Sequence, residues 1–179
     1  MVMWQLGRDD GDLRAYLEQG GVLAYPSEAV YGLGGLATEP AVLAKINALK
    51  GRPATKPMLT VAGCWDQISP WLPAEIPPPP AQDQPTSYLY PAGPQAPAHL
   101  VFQGKIGLRL TDFAPLQRLC ALAGPLLSTS ANGAGQEPAR DLAQLTAYFP
   151  ELPLLAGALG DAKRPSQIID WASGAIVRA

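Results

Sequence analysis

The chain has 179 residues, a hydrophobic fraction of 47% and a mean hydropathy of +0.04, enough for one domain with a genuine core. A net charge of −2 argues against a uniformly basic nucleic-acid surface, and no run approaches the ~20 apolar residues that span a bilayer. One histidine and two cysteines exclude a multi-histidine metal centre, a CxxC zinc pair and a disulfide framework.

The N-terminus carries acids early, at Asp9 and Asp10, and lacks the basic-then-apolar layout of a secretion signal, so the cytoplasm is the expected compartment. Cys64 and Cys120 lie in apolar contexts and read as buried free thiols. A Ser-His-Asp hydrolase would have to rest on His99 alone.

The first predicted helix runs from Asp12 through Gln19, with Asp9 and Asp10 as caps and Gly20-Gly21 as its end. Val22–Pro26 reads as a short buried strand entering a turn region at Ser27–Gly32. Thr38-Glu39-Pro40 predicts a helix start with a capping hydroxyl, an acid in the first turn and an early proline. Val42, Leu43, Ile46 and Leu49 keep helical spacing until Gly51-Arg52-Pro53 stops it. Met58–Ala62 reads as a strand. Residues 70–98, with four consecutive prolines at 77–80, are the least structured stretch, and only Ser87–Pro91 within it suits a strand. Leu100–Leu110 predicts two strands joined by a Gln-Gly turn. A helix over 113–123 is capped by Thr111-Asp112 and stopped by Gly124; Pro125–Asn132 is strand into loop, 141–149 is helical, and 167–178 reads as a hairpin. The alternation is not a clean βαβ series, so the expected fold is one α/β domain over residues 1–179, with a mixed sheet and flanking helices.

No GxxxxGK[ST] loop occurs. Gly32-Leu-Gly34-Gly35-Leu-Ala37 matches GxGxxA after a strand, but the acid that a dinucleotide site wants about 20 residues later is missing. These glycines read as tight backbone turns beside a ligand. Lys50, Arg52 and Lys56 fall within seven residues that contain no acid. Prolines 53 and 57 restrict the same turn. A triphosphate suits three such cations, and a solvated basic loop is the plain alternative. Ser128-Thr129-Ser130-Ala131-Asn132-Gly133 offers hydroxyls and an amide to phosphate or carboxylate oxygens, or a locally capped turn. Arg109, Arg140 and Arg178 are further candidates for gripping a carboxylate.

Together, YPSEAVYGLG (25–34), KGRPATKP (50–57), IGLRLTD (106–112), LSTSANGAGQEPA (127–139) and RPSQIIDWASGAIVR (164–178) resemble the threonylcarbamoyl-AMP synthase family, whose domain is called YrdC-like. The resemblance implies a twisted α/β sheet curled around a deep basic cleft. It implies formation of threonylcarbamoyl-AMP and pyrophosphate from L-threonine, bicarbonate and ATP, with Mg²⁺ on the triphosphate. The product would pass to the tRNA threonylcarbamoyl-transferase machinery for N6-threonylcarbamoyladenosine synthesis, with weak tRNA binding by this chain as a further partner expectation.

Carried over residue by residue, Lys50 and Arg52 are the catalytic expectation. Arg52, Lys56, Ser87, Ser128, Ser130, Asn132 and Arg178 fall to ATP, and Ser27, Arg109 and Ser166 to threonine. No resident metal is expected. Two departures stand out: Ser27 where the family has threonine, and Gln82–Ser87 where a Trp-x-Gly-Pro-x-Thr segment is expected, with only Pro85 and the Ser87 hydroxyl kept. A catalytically degenerate, RNA-binding member of the same fold is the alternative that the second departure leaves open.

Overall fold

The computed structural model describes residues 1–53 and 57–179. Eleven strands form one mixed, continuous sheet: β1 (Met3–Trp4), β2 (Leu23–Pro26), β3 (Tyr31–Gly34), β4 (Leu59–Ala62), β5 (Thr86–Pro91), β6 (Val101–Phe102), β7 (Lys105–Leu110), β8 (Leu126–Ser130), β9 (Leu154–Leu155), β10 (Gln167–Asp170) and β11 (Ile176–Arg178). Their order is β1-β9-β2-β3-β8-β4-β7-β5-β10-β11, with β6 paired to β7. Parallel pairs (β1/β9, β2/β9, β4/β7, β5/β10) alternate with antiparallel ones, so the expected mixed α/β fold is what forms.

Helices α1 (Asp10–Glu18), α2 (Pro40–Lys50), α3 (Ala114–Ala123) and α4 (Leu142–Tyr148) cover the sheet from two sides. Leu13 and Leu17 of α1 lie one turn apart on one stripe. They meet Leu116, Leu119 and Cys120 of α3 over Leu23, Tyr25, Val61 and Leu126. Val42 and Ile46 of α2 and Leu145 of α4 pack on the opposite face, against Leu33, Leu108 and Leu127. The alternation of side chains along a strand explains the split: Leu126 faces α3 and Leu127 faces α2. At the far end, Tyr90 and Trp171 stack with ring centroids 5.1 Å apart and tie β5 to the C-terminal hairpin.

The turn chemistry at 103–104 is as expected: Gln103 (φ 51°) and Gly104 (φ 75°) form the left-handed corner of the β6/β7 hairpin. Gly51, in the αL conformation at φ 60°, ends α2.

Several expectations are corrected. Asp9 is the N-cap of α1 but makes no side-chain capping bond, and Asp10 is its first residue; their carboxylates accept from the backbone N–H groups of Gln5 and Gly7 in the preceding turn. Thr38 caps nothing: Glu39 is the N-cap of α2, without a side-chain bond, and proline at the first helical position makes the start. The Thr111 hydroxyl does accept from the Phe113 N–H, one residue before α3. Leu49 is exposed, and Asn47 and Lys50 take the inward positions instead. Cys64 is exposed and only Cys120 is buried.

Glycines 32 and 34 are not in a turn but in β3, where they interrupt Tyr31 and Leu33. A Cβ on Gly32 would lie 2.6 Å from the Tyr25 ring, and one on Gly34 would lie 2.2 Å from the Leu127 carbonyl. These positions are glycine because Tyr25 lies flat across them. Strands β1 and β9, two residues each, are likewise additions to the sequence-based reading.

Candidate functional site

The face that carries α1 and α3 continues past these helices, and there it is uncovered. Over that open stretch lies a cavity of about 730 Å³. Alternation supplies its floor. Ser128 and Ser130 follow Leu126 on one side of β8, Gly107 and Arg109 share one side of β7, and Leu89 and Ile168 come from β5 and β10. The β2–β3 turn (Ser27, Glu28), Arg52, Pro57 and Met58 between α2 and β4, and the C-terminal hairpin (Val177, Arg178) form the walls.

Among the described residues, five cationic side chains line it, Arg52, Lys105, Arg109, Arg164 and Arg178, against one side-chain carboxylate, Glu28. In a chain of net charge −2, this is a strong local reversal of sign.

Each cation is held differently. Arg52 donates to the Pro57 carbonyl at 2.6 Å and to Thr129 Oγ1 at 3.5 Å, while its buried Nε finds no partner among the described residues. Burial draws its pKa below the usual arginine value. Arg178 donates through Nε (3.2 Å) and Nη2 (2.5 Å) to the Ser166 carbonyl. Burial first, and then the charge of Arg109, lower it as well. Both guanidiniums have lost hydration, and Arg178 is also repelled by Arg109; an anion in the cavity would relieve these penalties.

Arg109, only 7% exposed, donates Nη1 to Glu28 Oε1 at 2.5 Å. The Thr111 hydroxyl donates to the same oxygen at 2.5 Å. Burial would raise the Glu28 pKa, but the charge of Arg109 and the bond from Thr111 outweigh it and hold the carboxyl below its ordinary range. Lys105 is pinned outward by Asp170 at 2.5 Å.

Of the residues expected at the site, Ser27, Arg52, Arg109, Ser128, Ser130, Ser166 and Arg178 all line this one cavity, although they come from segments up to 151 positions apart in sequence (178 − 27). Ser27 spends its hydroxyl proton on the Val30 carbonyl at 2.7 Å, so toward a ligand it can only accept.

Three expected residues stand behind the wall. Lys50 turns its ammonium to the Ser130 carbonyl and, at 3.4 Å, to Asn132 Oδ1. Burial and then the neighbouring Arg52 push its pKa down to about 8. Asn132 accepts from Ser130 Oγ at 2.6 Å and donates to the Gln136 carbonyl at 2.9 Å, so Lys50 and Asn132 together tie the serine-rich loop to the end of α2. Ser87 is fully buried, on the cavity side of β5 but covered by Ser166, whose hydroxyl oxygen is 2.9 Å away. Lys56 lies outside the described residues. Arg140 reaches only the Ala29 carbonyl, at 3.4 Å, and His99 bonds the Ala37 carbonyl at 2.7 Å as a structural tie.

The sequence-based reading missed Glu28, Lys105 and Arg164 as lining residues; Thr129, offered with its neighbouring serines as a hydroxyl donor, does line the cavity. Lys105 was within reach, because period-two alternation sets it on one face with Gly107 and Arg109. Glu28 directly follows Ser27, but nothing local announces its pairing with Arg109, 81 positions away.

The fold and the site thus define an α/β protein with a polyanion-sized, cation-lined cleft at the open end of its sheet. The Sua5/YciO/YrdC family model, described as telomere recombination, matches residues 15–179, and the chain belongs to that family. It is 45% identical over 184 residues to the threonylcarbamoyl-AMP synthase of Dichelobacter nodosus, covering 98% of this chain and 97% of that one. It is 40% identical to the protein of that name from Alkalilimnicola ehrlichii, at 92% coverage of each.

Among solved structures, P. abyssi Sua5 in complex with L-threonine superposes with a TM-score of 0.80 at 20% identity. That match covers 98% of this chain but 55% of the Sua5 chain, so the archaeal protein is considerably longer. E. coli YciO superposes with a TM-score of 0.79 at 18% identity, over 99% of this chain and 93% of that one. Both likenesses speak to the fold.

Proposed function

We propose that the chain is a nucleotidyltransferase that makes threonylcarbamoyl-AMP and pyrophosphate from L-threonine, bicarbonate and ATP, for N6-threonylcarbamoyladenosine synthesis in tRNA. The observation that carries this reading is the convergence of Ser27, Arg52, Arg109, Ser128, Ser130, Ser166 and Arg178 on one cavity. Near-full-length relatives that bear the synthase name support it.

The reaction gathers three anions: a triphosphate, a carboxylate and bicarbonate. The threonine amine and bicarbonate give a carbamate and water. A carbamate oxygen then attacks the α-phosphorus, and pyrophosphate leaves with the electron pair of the broken P–O bond. The carbamate already carries its nucleophilic oxygen. The chain's task is therefore to bring the anions together and screen their repulsion.

In this reading Arg52 and Lys56 hold phosphate oxygens, with Arg52 the catalytic cation because it lines the cavity and its buried Nε has no partner among the described residues. Ser128 and Ser130 donate to the nucleotide. Arg109 takes the threonine carboxylate, Ser27 accepts from the amino acid, and Ser166 and Arg178 form the opposite wall. Lys50, Asn132 and Ser87 act one layer back, by fixing Ser130 and Ser166. Mg²⁺ arrives on ATP as part of the substrate; Glu28, the one side-chain carboxylate among the described lining residues, is already engaged by Arg109. Residues 1–179 serve as a single catalytic unit that works in the cytoplasm and hands its product to the tRNA threonylcarbamoyl-transferase machinery. No described helix is long and apolar enough to cross a membrane.

Pyrophosphate release from ATP tests the reading. Release that requires both L-threonine and bicarbonate is the expected result. ATP binding without release would favour the degenerate, RNA-binding alternative.

A further inference from the structure

Glu28 is an unusual feature of this cavity. It is the only side-chain carboxylate among the described lining residues, in a site whose substrates are anions. A bare acid there repels what the cleft collects, so its charge has to be offset by a cationic partner. Its geometry is well defined. Both Arg109 Nη1 and Thr111 Oγ1 donate to the same oxygen, Oε1; Glu28's own backbone N–H also bonds the carboxylate, and no side chain of another described residue donates to the second oxygen. The backbone is fixed too: the Ala162 N–H donates to the Glu28 carbonyl at 2.9 Å, and Gly160 packs so closely that a Cβ there would lie 2.7 Å from that carbonyl oxygen. Arg109, for its part, gives only Nη1 to a described partner. The pair therefore shows the cavity two open poles side by side: the remaining N–H groups of a guanidinium and the free oxygen of a carboxylate.

An α-amino acid carries the complementary pair. Its carboxylate and ammonium are one carbon apart, with N and O separated by roughly 3 Å given ordinary bond lengths. We propose that Glu28 is a specificity-determining residue: its free oxygen receives the ammonium of the amino acid while Arg109 receives the carboxylate, so that the cleft selects zwitterions and turns away simple carboxylates. This rests on the synthase reading for the identity of the amino acid, L-threonine. A carboxylate without the amine would still find Arg109, but would set its charge beside Glu28 with nothing to offset it. That repulsive element is what selectivity against a look-alike requires. In the same arrangement Glu28 is a positioning residue for Arg109, since it commits one side of the guanidinium and leaves the other to the ligand.

The test is calorimetric binding of L-threonine and of 3-hydroxybutyrate, its analogue without the amine, to the wild-type chain and to Glu28→Gln. Wild type is expected to prefer threonine by at least about tenfold, the worth of one charge-assisted hydrogen bond. In Glu28→Gln, threonine should weaken about tenfold while 3-hydroxybutyrate holds or tightens, so that the preference collapses. Equal weakening of both ligands would mean that Glu28 merely supports the structure, and would overturn the proposal. Should Glu28→Gln fail to fold, the wild-type comparison still decides, because equal affinity for the two ligands there overturns the proposal without any variant. The two readings fail separately. Pyrophosphate release without a threonine preference removes the role of Glu28 and keeps the synthase. A threonine preference without pyrophosphate release does the reverse.

Discussion

Along β8 and β4, one face of the sheet changes character within two or three residues. At the end covered by α1 and α3, Leu126 and Val61 are buried among leucines. At the open end of the same strands, Ser128, Ser130 and Leu59 border a cavity ringed by arginines. The backbone ladder is continuous through both; only the cover differs. Where helices cover the sheet, side chains are selected for packing, and their loss is felt as stability. Where none does, polar and charged groups stay poised beside a void, and their loss should be felt as function. The open half is held by the continuous ladder and by the core packed on its other face, where Tyr88, Leu108 and Leu127 are buried.

The largest effect expected from breaking this division is on catalysis. Arg52→Ala removes the cation whose buried Nε has no partner among the described residues and should lower kcat/KM for pyrophosphate release by about 10²–10³-fold, with the melting temperature nearly unchanged. Wild-type turnover in that variant would remove Arg52 from the mechanism. The mirror experiment lies under α3. Leu119, fully buried, should cost about 2–5 kcal/mol as Leu119→Ala, which for a chain of this size lowers the melting point by roughly 5–20 °C. The KM values of the folded fraction should stay at wild type; a large rise in KM would show that the two halves are coupled more tightly than their packing suggests.

Gly34→Ala probes the seam between them. Its Cβ would meet the Leu127 carbonyl at 2.2 Å, a backbone atom that cannot swing aside. A loss of about 1–3 kcal/mol is expected, as for other overpacked cores, and denaturant melts would register it. The smallest effect concerns Lys50. Its folded pKa of about 8 lies below the ordinary value of 10.5, so between these two values the unfolded chain binds the proton that the folded chain has released. Stability must then rise with pH across that window, relative to Lys50→Met. Parallel stability curves for the two proteins from pH 8 to pH 10.5 would contradict the assignment.

Much of this was legible in the sequence. The helices announced themselves through the spacing of Leu13 and Leu17 and of Val42 and Ile46, and the β6/β7 hairpin through Gln103-Gly104. The motif segments placed seven expected residues on one cavity: Ser27, Arg52 and Ser166 flank elements, Ser130 and Arg178 end strands, and Arg109 and Ser128 lie within β7 and β8 on the cavity side. What stayed hidden was long-range. β3 reads as a turn because Gly32 and Gly34 interrupt Tyr31 and Leu33, and the Leu127 carbonyl that crowds Gly34 comes from another strand far along the chain. Lys50 reads as a phosphate ligand until the structure turns it toward Ser130, 80 positions away. Glu28 reads as one acid in a turn until Arg109 arrives from another strand. The replaced segment 82–87 looked like a damaged wall, yet Pro85 lines the cavity and Ser87 supports Ser166 from beneath.

The central claim, that the uncovered half of the sheet joins three anions into one product, is most directly tested with isotopically labelled bicarbonate. The chain would be incubated with ATP and L-threonine, and the nucleotide products read by mass spectrometry. The predicted result is an AMP-containing product that carries threonine and the heavy carbon, formed in step with pyrophosphate. ATP consumed without label entering a nucleotide product would contradict it.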